Sequence, residues 1–516
     1  MPEILPGTAL GPGLKIRGRL IHDPASPLAN ALAEVKNLEK AERGLILCFG
    51  LGLGYHFQAV LSQWPDARII AFEADAELRR AFEDHGPASD LVPDRLRIAS
   101  TWTELNNLLT EELVHGPHPT PAVFVIPEYQ KLFPDRVKTF KRLVFEALVR
   151  RRVSDHTWKE KGALFLANLA DNLGNILNLP LITGLKPGPP APPAFIVGSG
   201  PGLEKNGRLL VEARAKGLVL AASSAVKPLA AMGVRPDIVV FVEAEDTSRF
   251  LPPDLAHQDI ILAIGSAAHP NHFQIPGFTN SFFHLTRGAA FICGEESFVP
   301  QAGTAGAAAF TLAFIMGLRP LVLVGQDQAF APDRVHASGT PGDIPLTPDL
   351  APYTVAGATE SRVRTHAAFA ASLHWFAESA RYLKQKSPRT ALLNASESGA
   401  SIPGLPNVTL REVLDHLPRP SSPPPRPAES VPRLAKPSLE AAGRAVRETW
   451  NPLLQAEKVL RYRPEDASAL VLDLRTNHPF LKEALAGIDP DAGPREIRTK
   501  IEAVEAEVLK MMEVLG

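Results

Sequence analysis

The sequence predicts an α/β protein with two Rossmann-like domains, each a parallel sheet flanked by helices, and a C-terminal helical bundle. Apolar strand patterns alternate with helical patterns in two stretches, roughly 40–130 and 194–415. Each stretch begins with a short apolar run followed by a glycine-rich turn, which is typical of nucleotide-binding sheets. After residue 438 helical periodicity alone remains.

The 516 residues exceed what one hydrophobic core ordinarily serves. Composition shifts divide them into an N-terminal Rossmann-like domain (1–135), a helical connector with a Pro-rich hinge (136–193), a central α/β domain (194–416), a Pro-rich linker (417–437) and a helical domain (438–516). The linker prolines lack amide donors and favour extended geometry, which predicts a semi-rigid spacer. Within the helical domain, an apolar stripe is formed by Ile497, Ile501, Val504, Val508 and Met511.

The charge balance argues against nucleic acid as a partner. The formal net charge is −2 and the pI is near 6.8, so no basic field would attract a phosphate backbone. The first residues lack the charged start and apolar core of a signal peptide. No run of 18 apolar residues predicts a membrane span, and we expect a cytoplasmic protein.

The first glycine turn lies in "GLILCFGLGLGYHFQAVL", where the strand Leu45–Phe49 precedes Gly50, Gly52 and Gly54. The next predicted strand, "ARIIAF", is followed by Glu73, and an acid at this position takes ribose hydroxyls in Rossmann folds. The spacing resembles S-adenosylmethionine-dependent methyltransferases. Where those enzymes place their chemistry, this chain has no recognisable motif, only Glu128 and Tyr129. We therefore expect a domain kept for structure or acceptor docking, with a working cofactor site as the alternative.

The second glycine turn lies in "FIVGSGPGLEKN", where the strand Phe195–Val197 runs into Gly198–Gly202 and a helix begins at Leu203. Amides at a helix N-terminus attract an anionic group. No Gly-Lys-Ser/Thr follows, so the turn should not hold a triphosphate as a P-loop does. A tight turn without a ligand is the alternative interpretation.

Two further strands, Leu218–Ala222 and Ile238–Val242, are each followed by polar residues. These residues are Ser223, Ser224, Glu243, Glu245 and Asp246. In an open parallel sheet, ligands bind beyond the carboxyl ends of the strands. The hydroxyls would suit a base or ribose edge, whereas the acids belong either to the site or to a solvated loop.

A fourth strand, Leu321–Val324, ends in a Gly-Gln-Asp sequence. Gln326 and Asp327 have little packing reason to follow a continuous apolar strand, so we predict a role in the site. His336, on the next loop, is either a general base or a surface residue. Upstream, Thr304 stands among small residues that open an apolar helix.

Four stretches together resemble the central domain of the motility accessory factor (Maf) family, which are bacterial flagellin glycosyltransferases. The stretches are "FIVGSGPGLEKN", "AASSAVKPLAAMGVRPDIVVFVE", "LVLVGQDQAF…VHASGT" and "LLNASESGASIPG". The three-part layout of a Rossmann-like N-terminal domain, this central domain and a helical C-terminal domain fits the same family. The central domain also resembles, more remotely, an archaeal 6-hydroxymethyl-dihydropterin pyrophosphokinase.

The resemblance implies a transferase that moves a nonulosonic acid, such as pseudaminic or legionaminic acid, from its CMP-activated form to Ser or Thr of flagellin. The implied partners are flagellin and the CMP-nonulosonic acid. The central domain is similar to bacterial sialyltransferases, which need no metal, so no cofactor and no metal ligand are expected. In those enzymes a Gly-Asn-Gly-Pro-Ser turn borders the CMP site, and here Ser199 takes the place of the asparagine.

Residue patterns and resemblance together define the predicted site. The catalytic candidates are Asp327 and His336. The donor-binding candidates are Gly198, Ser199, Gly200, Pro201, Ser223, Ser224, Glu243, Thr304 and Gln326. A single phosphodiester suits a neutral, amide-lined turn, and an acid such as Asp327 could stabilise the oxocarbenium character that builds when the sugar–phosphate bond breaks.

Two other functions remain open at this stage. The first is Mg²⁺-dependent pyrophosphate transfer to a pterin, for which Glu243, Glu245 and Asp246 would supply the metal ligands. The second is a non-enzymatic flagellin-binding assembly factor with a decayed site, for which the helical tail and the linker would serve docking.

Overall fold

The computed structural model of the chain describes residues 2–8, 11–36, 38, 44–87, 95–114, 121–290, 292–341, 351–418, 430–431, 437–462, 467–477, 481, 485, 487–489 and 492–515. The predicted linker at 417–437 therefore lies almost entirely outside the described residues. The chain forms two compact units, Met1–Ser154 and Asp155–Gly516. This division is coarser than the five predicted segments, whose boundaries stay predictions.

The first unit contains an antiparallel and a parallel sheet. The antiparallel sheet consists of β1 (Pro2–Thr8), β2 (Gly11–Ile16) and β3 (Arg19–His22). The parallel sheet has the order β6-β5-β4-β7, from β4 (Leu45–Phe49), β5 (Arg68–Phe72), β6 (Leu96–Ala99) and β7 (Ala122–Val125). The helices of this unit are α1 (Pro27–Val35), α2 (Tyr55–Gln63), α3 (Ala76–His85), α4 (Trp102–Leu109) and α5 (Pro127–Leu132). Strand β4 is buried along its length, as expected of a central parallel strand, which confirms the predicted strand.

A long helix, α6 (Pro134–Asn178), begins in the first unit and ends in the second. Its last part carries the asparagine-rich sequence "NLADNLGNILN". After it, the second unit continues to the end of the chain.

The second unit is built on a seven-stranded sheet with the order β12-β11-β10-β9-β8-β13-β16, in which every pairing is parallel. Its strands are β8 (Ala194–Val197), β9 (Leu218–Ala222), β10 (Ile238–Phe241), β11 (Ile261–Gly265), β12 (Thr279–Phe283), β13 (Leu321–Val324) and β16 (Leu392–Asn394). A separate antiparallel hairpin is formed by β14 (Tyr353–Ala356) and β15 (Arg362–Thr365).

Helices cover this sheet. They are α7 (Leu203–Asn206), α8 (Leu210–Lys216), α9 (Val226–Ala231), α10 (Arg287–Ala290), α11 (Ala305–Ile315), α12 (Ala367–Lys386) and α13 (Leu410–His416). Helix α11, with the sequence "AGAAAFTLAFI", lies against β8, β9, β10 and β13. Its small side chains let the helix backbone approach the sheet closely. The continuous apolar runs that predicted β8, β9, β10 and β13 are buried, which confirms the Rossmann-like class.

The chain ends in helices α14 (Leu439–Tyr462), α15 (Ala467–Asn477) and α16 (Pro494–Leu515). Helix α16 packs against both of the others. The five residues of the predicted stripe, from Ile497 to Met511, are all buried. This confirms the predicted C-terminal helices and the face with which α16 packs. None of the described helices has the length and apolar character needed to cross a bilayer.

Two buried asparagines of α6 hold the loops that follow β10 and β11. Asn168 Nδ2 donates to the carbonyls of Ala244 (3.0 Å) and Ala267 (3.2 Å). Asn172 Nδ2 donates to the carbonyls of Ser266 (3.0 Å) and Ala268 (2.7 Å). These bonds satisfy loop carbonyls that would otherwise be buried without donors. The asparagine-rich sequence therefore fixes the ends of two strands of the sheet.

We expect Asn172→Ala to lower the free energy of unfolding by about 2 kcal/mol, because two buried carbonyls lose their donor. Asn178→Ala is the matched control on the same helix. Asn178 is exposed and bonds to the Gly174 carbonyl one turn back, so its loss should cost less than about 0.5 kcal/mol. Urea unfolding of the two variants measures the difference, and equal losses would contradict the role given to Asn172.

Candidate functional site

The carboxyl ends of the seven parallel strands form one edge of the sheet, which we call the carboxyl edge. The chain leaves β8 toward β9 on one side and later returns to β13 on the other, so strand order reverses between β8 and β13. Ligands of open α/β sheets bind at such a reversal. The glycine turn after β8 and the Gly-Gln-Asp sequence after β13 are thus neighbours, as the sequence predicts.

Three amides of the second glycine turn donate within the protein. Gly198 N donates to the Val324 carbonyl (2.9 Å) and Gly200 N to the Gly325 carbonyl (2.8 Å). Gly202 N donates to Asp327 Oδ2 at 2.7 Å. The expectation that these three amides hold a phosphate needs correction, because two of them donate to backbone carbonyls and the third donates to a carboxylate of the same chain. Helix α7, which begins after the turn, has only four residues.

The glycines of this turn are required by the side chains packed on them. A Cβ at Gly198 would lie 2.9 Å from Gln326 Cδ, and one at Gly200 would lie 2.7 Å from Asp327 Oδ1. Real Cβ atoms are not found so close to other heavy atoms. Gly198 and Gly200 therefore make room for Gln326 and Asp327, and Pro201 completes the turn.

Asp327 is buried at the centre of the carboxyl edge, with 3% of its surface exposed. Its Oδ2 accepts from the Gly202 amide and from Ser398 Oγ, the latter at 2.5 Å. Its Oδ1 is buried without a hydrogen-bond partner. Burial raises the pKa of Asp327 to about 6, although both hydrogen bonds oppose the rise. A carboxyl group poised near neutrality in this position is a candidate for function.

Gln326 and Gln328 flank Asp327 and are also buried. The Gln326 side chain lies against Gly306 of α11, where a Cβ would meet its amide group. Gln328 has φ of 51°, a left-handed conformation that is rare for a side chain of this kind. Its Nε2 lies 3.4 Å from Gln326 Oε1. Strained backbone of this sort is commonly found at functional sites.

Four buried polar atoms from this region of the chain have no hydrogen-bond partner. They are Gln326 Nε2, Asp327 Oδ1, Gln328 Oε1 and Thr340 Oγ1. Buried polar atoms of proteins are nearly always paired, so each exception asks for an explanation. The four atoms belong to a donor amide, a carboxyl group, an amide oxygen and a hydroxyl. Groups of these kinds can bind a polar organic ligand.

Hydroxyls and a carboxylate link the ends of β8, β9 and β10. Ser199 Oγ lies 2.9 Å from Ser224 Oγ, and Ser223 Oγ donates to Glu243 Oε1 at 3.2 Å. Burial raises the pKa of Glu243. The structure therefore brings these four predicted residues together. Thr304 has a structural task, because its hydroxyl oxygen caps α11 by accepting from the Ala307 amide (3.2 Å).

The acids after β10 are bonded to different partners. Glu245 forms an ion pair with Lys161 at 2.7 Å. Asp246 accepts from the Ser248 amide (2.9 Å) and from Asn271 Nδ2 (2.7 Å). Among the residues that the structure describes, no group of three or more His, Cys, Asp or Glu side chains is arranged to hold a metal ion.

His336 is half-buried on the loop that crosses the glycine turn, since the next residue, Ala337, donates its amide to the Ser199 carbonyl (2.8 Å). A positive charge on this ring would lower the pKa of His366. Four residues of this region are not among the predicted site residues: Gln328, His366, Ser396 and Ser398. Gln328 continues the quoted "GQDQ", and the serines lie in the quoted "LLNASESGASIPG", but nothing in the sequence ties His366 to the site.

A cleft of about 560 Å³ lies elsewhere in the second unit and contains none of the predicted residues. It is lined by Leu181, Thr183, Gly184, Lys186, Glu295, Glu296, Phe298 and Ile315. The Lys186 ammonium group donates to the carbonyls of Thr183 and Ile315. We place the candidate site at the carboxyl edge, where unpartnered buried atoms are found, and not in this cleft.

The first glycine turn, in the N-terminal unit, is filled by side chains of its own unit. Tyr129 Oη accepts from the Gly52 amide (3.2 Å), and His22 Nε2 accepts from the Leu53 amide (3.0 Å). Burial lowers the pKa of His22 to about 3, so the ring is neutral and can accept. Burial likewise raises the pKa of Glu73 to about 7. These contacts favour the structural interpretation of the turn over a working cofactor site.

The pKa of Asp327 predicts a pH-dependent gain in stability for Asp327→Asn. The pKa is about 6 in the folded protein and about 3.9 in an unfolded chain. The stabilising proton is thus fully bound below about pH 4 and is lost as the pH rises through 6. Above that pH the buried charge costs about 3 kcal/mol. Asparagine avoids this cost and can still accept from Gly202, so the variant should melt higher than wild type at pH 8.

Thermal unfolding from pH 5 to pH 8 measures this effect, and the gain should shrink toward pH 5. Asp254→Asn is the control, because Asp254 is exposed and its replacement should shift the melting temperature little at any pH. A gain that does not depend on pH would refute the buried-charge explanation.

The filled first turn predicts that Gly52→Ala destabilises the protein more than Gly18→Ala. Both glycines have positive φ, of 52° and 78°, so both variants bear the same kind of backbone strain, about 1–2 kcal/mol. A Cβ at Gly52 would lie 2.2 Å from His22 Nε2, whereas one at Gly18 has nothing within 4 Å. Denaturant unfolding should give an additional loss of about 2 kcal/mol for Gly52→Ala. Equal losses of stability in the two variants would mean that the His22 side chain moves away from the new Cβ at no cost.

The chain is similar to one protein-family model and to a solved structure. Residues 167–333 match the family model described as 6-hydroxymethylpterin diphosphokinase MptE-like. No curated protein matches the sequence. Among solved structures, the Maf glycosyltransferase from Magnetospirillum magneticum AMB-1 is similar, with a TM-score of 0.58 and 14% sequence identity over 100% of this chain and 91% of that chain. Part of the chain therefore matches the MptE-like family model, and the chain shares its fold with a Maf glycosyltransferase, which confirms the resemblance to the Maf family. The similarity of the central domain to sialyltransferases stays a prediction.

Proposed function

We propose that the chain is a glycosyltransferase that moves a nonulosonic acid from a CMP-activated donor to Ser or Thr of flagellin. The observation that carries the proposal is the similarity in fold to the Maf glycosyltransferase along all of this chain. The MptE-like match at 167–333 includes β8, β9, β10 and β13. The candidate residues that follow these strands thus lie within the matched residues, except for His336, which lies just beyond them.

The unpartnered atoms of the carboxyl edge support a nucleotide ligand. Gln326 Nε2 is a donor and Gln328 Oε1 an acceptor, and a cytosine base presents both an acceptor and a donor edge. The paired hydroxyls of Ser199 and Ser224 suit a ribose. In this arrangement the donor nucleotide lies across the ends of β8, β9 and β13.

The chemistry proposed for this site requires little more than charge stabilisation. The bond between the anomeric carbon and the phosphate oxygen breaks, and its electron pair leaves with CMP. The acceptor hydroxyl attacks the anomeric carbon, and its proton passes to a base, for which His336 is the candidate. Ionised Asp327 stabilises the oxocarbenium character of the transition state. CMP is a good leaving group at neutral pH, so the step needs no cofactor.

The description of the matched family also raises pyrophosphate transfer to a pterin as a second candidate. That reaction needs Mg²⁺ and carboxylates that converge on it. Glu243, Glu245 and Asp246 are bonded instead to Ser223, to Lys161 and to Asn271, which favours glycosyl transfer. Turnover of ATP that depends on Mg²⁺ and on a pterin would reverse this preference.

The proposed function predicts that purified protein adds the mass of one or more nonulosonic acid residues to flagellin when a CMP-nonulosonic acid is supplied. Intact-mass spectrometry of flagellin measures the transfer. Asp327→Asn should lower its rate at least about 100-fold, because charge stabilisation of the transition state is lost while the fold is kept. Asp254→Asn should react like wild type.

Two results would contradict the proposal. One is the absence of cytidine-nucleotide binding in calorimetry at millimolar CMP. The other is flagellin that co-purifies with the protein but never gains sugar mass, which would favour an assembly factor. Substitution of Gly200 cannot replace Asp327→Asn in this test, because its Cβ would collide with Asp327 and disturb folding.

A further inference from the structure

The β14–β15 hairpin brings a histidine to the carboxyl edge that the sequence motifs do not include. Thr365, the last residue of β15, donates its hydroxyl to the Gln328 carbonyl at 2.9 Å. The Phe330 amide donates to the Arg364 carbonyl at 2.9 Å. The end of the hairpin thus runs beside the segment that follows β13, and the next residue is His366.

The two ring nitrogens of His366 have different surroundings. Nδ1 accepts from the Phe369 amide at 3.0 Å, so the histidine is the N-cap of α12. A neutral ring that accepts at Nδ1 carries its proton on Nε2. The ring packs against Phe330 and Phe369, with centroids 5.2 Å and 4.1 Å away. Its position is therefore fixed from both sides.

The protonation state of His366 follows from its environment. Burial lowers the pKa of the ring, and His336 lowers it further. The N-terminus of α12, a helix of 20 residues, also disfavours a cation at this position. The ring is therefore neutral at physiological pH and offers Nε2–H as an oriented, uncharged donor.

A donor of this kind would suit a nucleotide phosphate at the carboxyl edge, because most of the donors near the glycine turn are already engaged. The amides of Gly198, Gly200 and Gly202 are used within the protein. Two cations near the turn are engaged as well. Lys205 Nζ donates to the Glu397 carbonyl (2.9 Å), and Arg334 bonds to Glu204 and Asp333.

We propose that His366 Nε2–H donates a hydrogen bond to the phosphate of the bound cytidine nucleotide. The inference rests on the proposed function and names the residue that holds the donor's charged group. When the sugar–phosphate bond breaks, charge grows on the phosphate oxygen and the hydrogen bond strengthens, while the proton stays on Nε2. In this proposal the neutral N-cap histidine of α12 binds the phosphate, in place of the glycine amides that the sequence motif suggested.

Two substitutions separate the two nitrogens of His366. The Oδ1 of His366→Asn takes the place of Nδ1 and can cap α12, since asparagine is a strong N-cap, but the variant lacks the Nε2 donor. The Nε2 of His366→Gln takes the place of the histidine Nε2, but the variant lacks the cap. His416→Asn, at an exposed histidine of α13, is the control.

Calorimetry with CMP and with cytidine tests the assignment on the full chain. His366→Asn should bind CMP about tenfold or more weakly, as expected for a hydrogen bond to a charged group, and should bind cytidine like wild type. It should melt at or above the wild-type temperature. His366→Gln should recover most of the CMP affinity and melt lower. The control should match wild type in each measurement.

The outcomes distinguish this inference from the proposed function. If wild type binds neither CMP nor cytidine, the proposed function fails and the inference fails with it. If wild type binds CMP and His366→Asn binds it equally well, only the inference is overturned, and the histidine serves as a cap alone. Equal weakening of CMP and cytidine by His366→Asn would also overturn it, because phosphate contact cannot explain such a loss.

Discussion

The hydrogen bond from the Gly202 amide to the Asp327 carboxylate joins the two loops that diverge from the middle of the seven-stranded sheet. One loop follows β8 and the other follows β13, and between them the chain builds four further strands of the sheet. Ser398, which follows β16, bonds to the same carboxylate. A single buried oxygen thus joins the segments that follow three strands of the sheet.

This arrangement lowers the stability of the fold, and side-chain packing does not explain why the protein keeps it. A buried carboxyl group with a raised pKa and one unpartnered oxygen is destabilising when ionised. The left-handed Gln328 adds backbone strain beside it. Proteins keep such features where a ligand or a transition state compensates them. The coincidence of buried charge, strain and unpartnered atoms on adjacent residues is the physical basis for locating the site here.

The sequence predicted most of the architecture, because continuous apolar runs such as Leu218–Ala222 and Leu321–Val324 can hardly be anything but buried parallel strands. It also placed Asp327 and Ser199 at one edge, since parallel strands share their carboxyl ends. It could not predict which groups pair, so it does not reveal that the glycine amides donate to two backbone carbonyls and to Asp327. His366 was missed because the β14–β15 hairpin that carries it is mostly polar and exposed, with no buried run to reveal it.

The two glycine turns of this chain illustrate that the spacing of the glycines does not show whether a turn binds a nucleotide. In the N-terminal unit, His22 and Tyr129 take the amide protons that a cofactor's pyrophosphate or carboxylate would accept. Side chains from elsewhere in a chain can therefore take the amide protons of such a turn while its glycine spacing is intact. A survey that counts dinucleotide-binding domains by their glycine motifs would therefore gain from asking which group faces each amide of the turn.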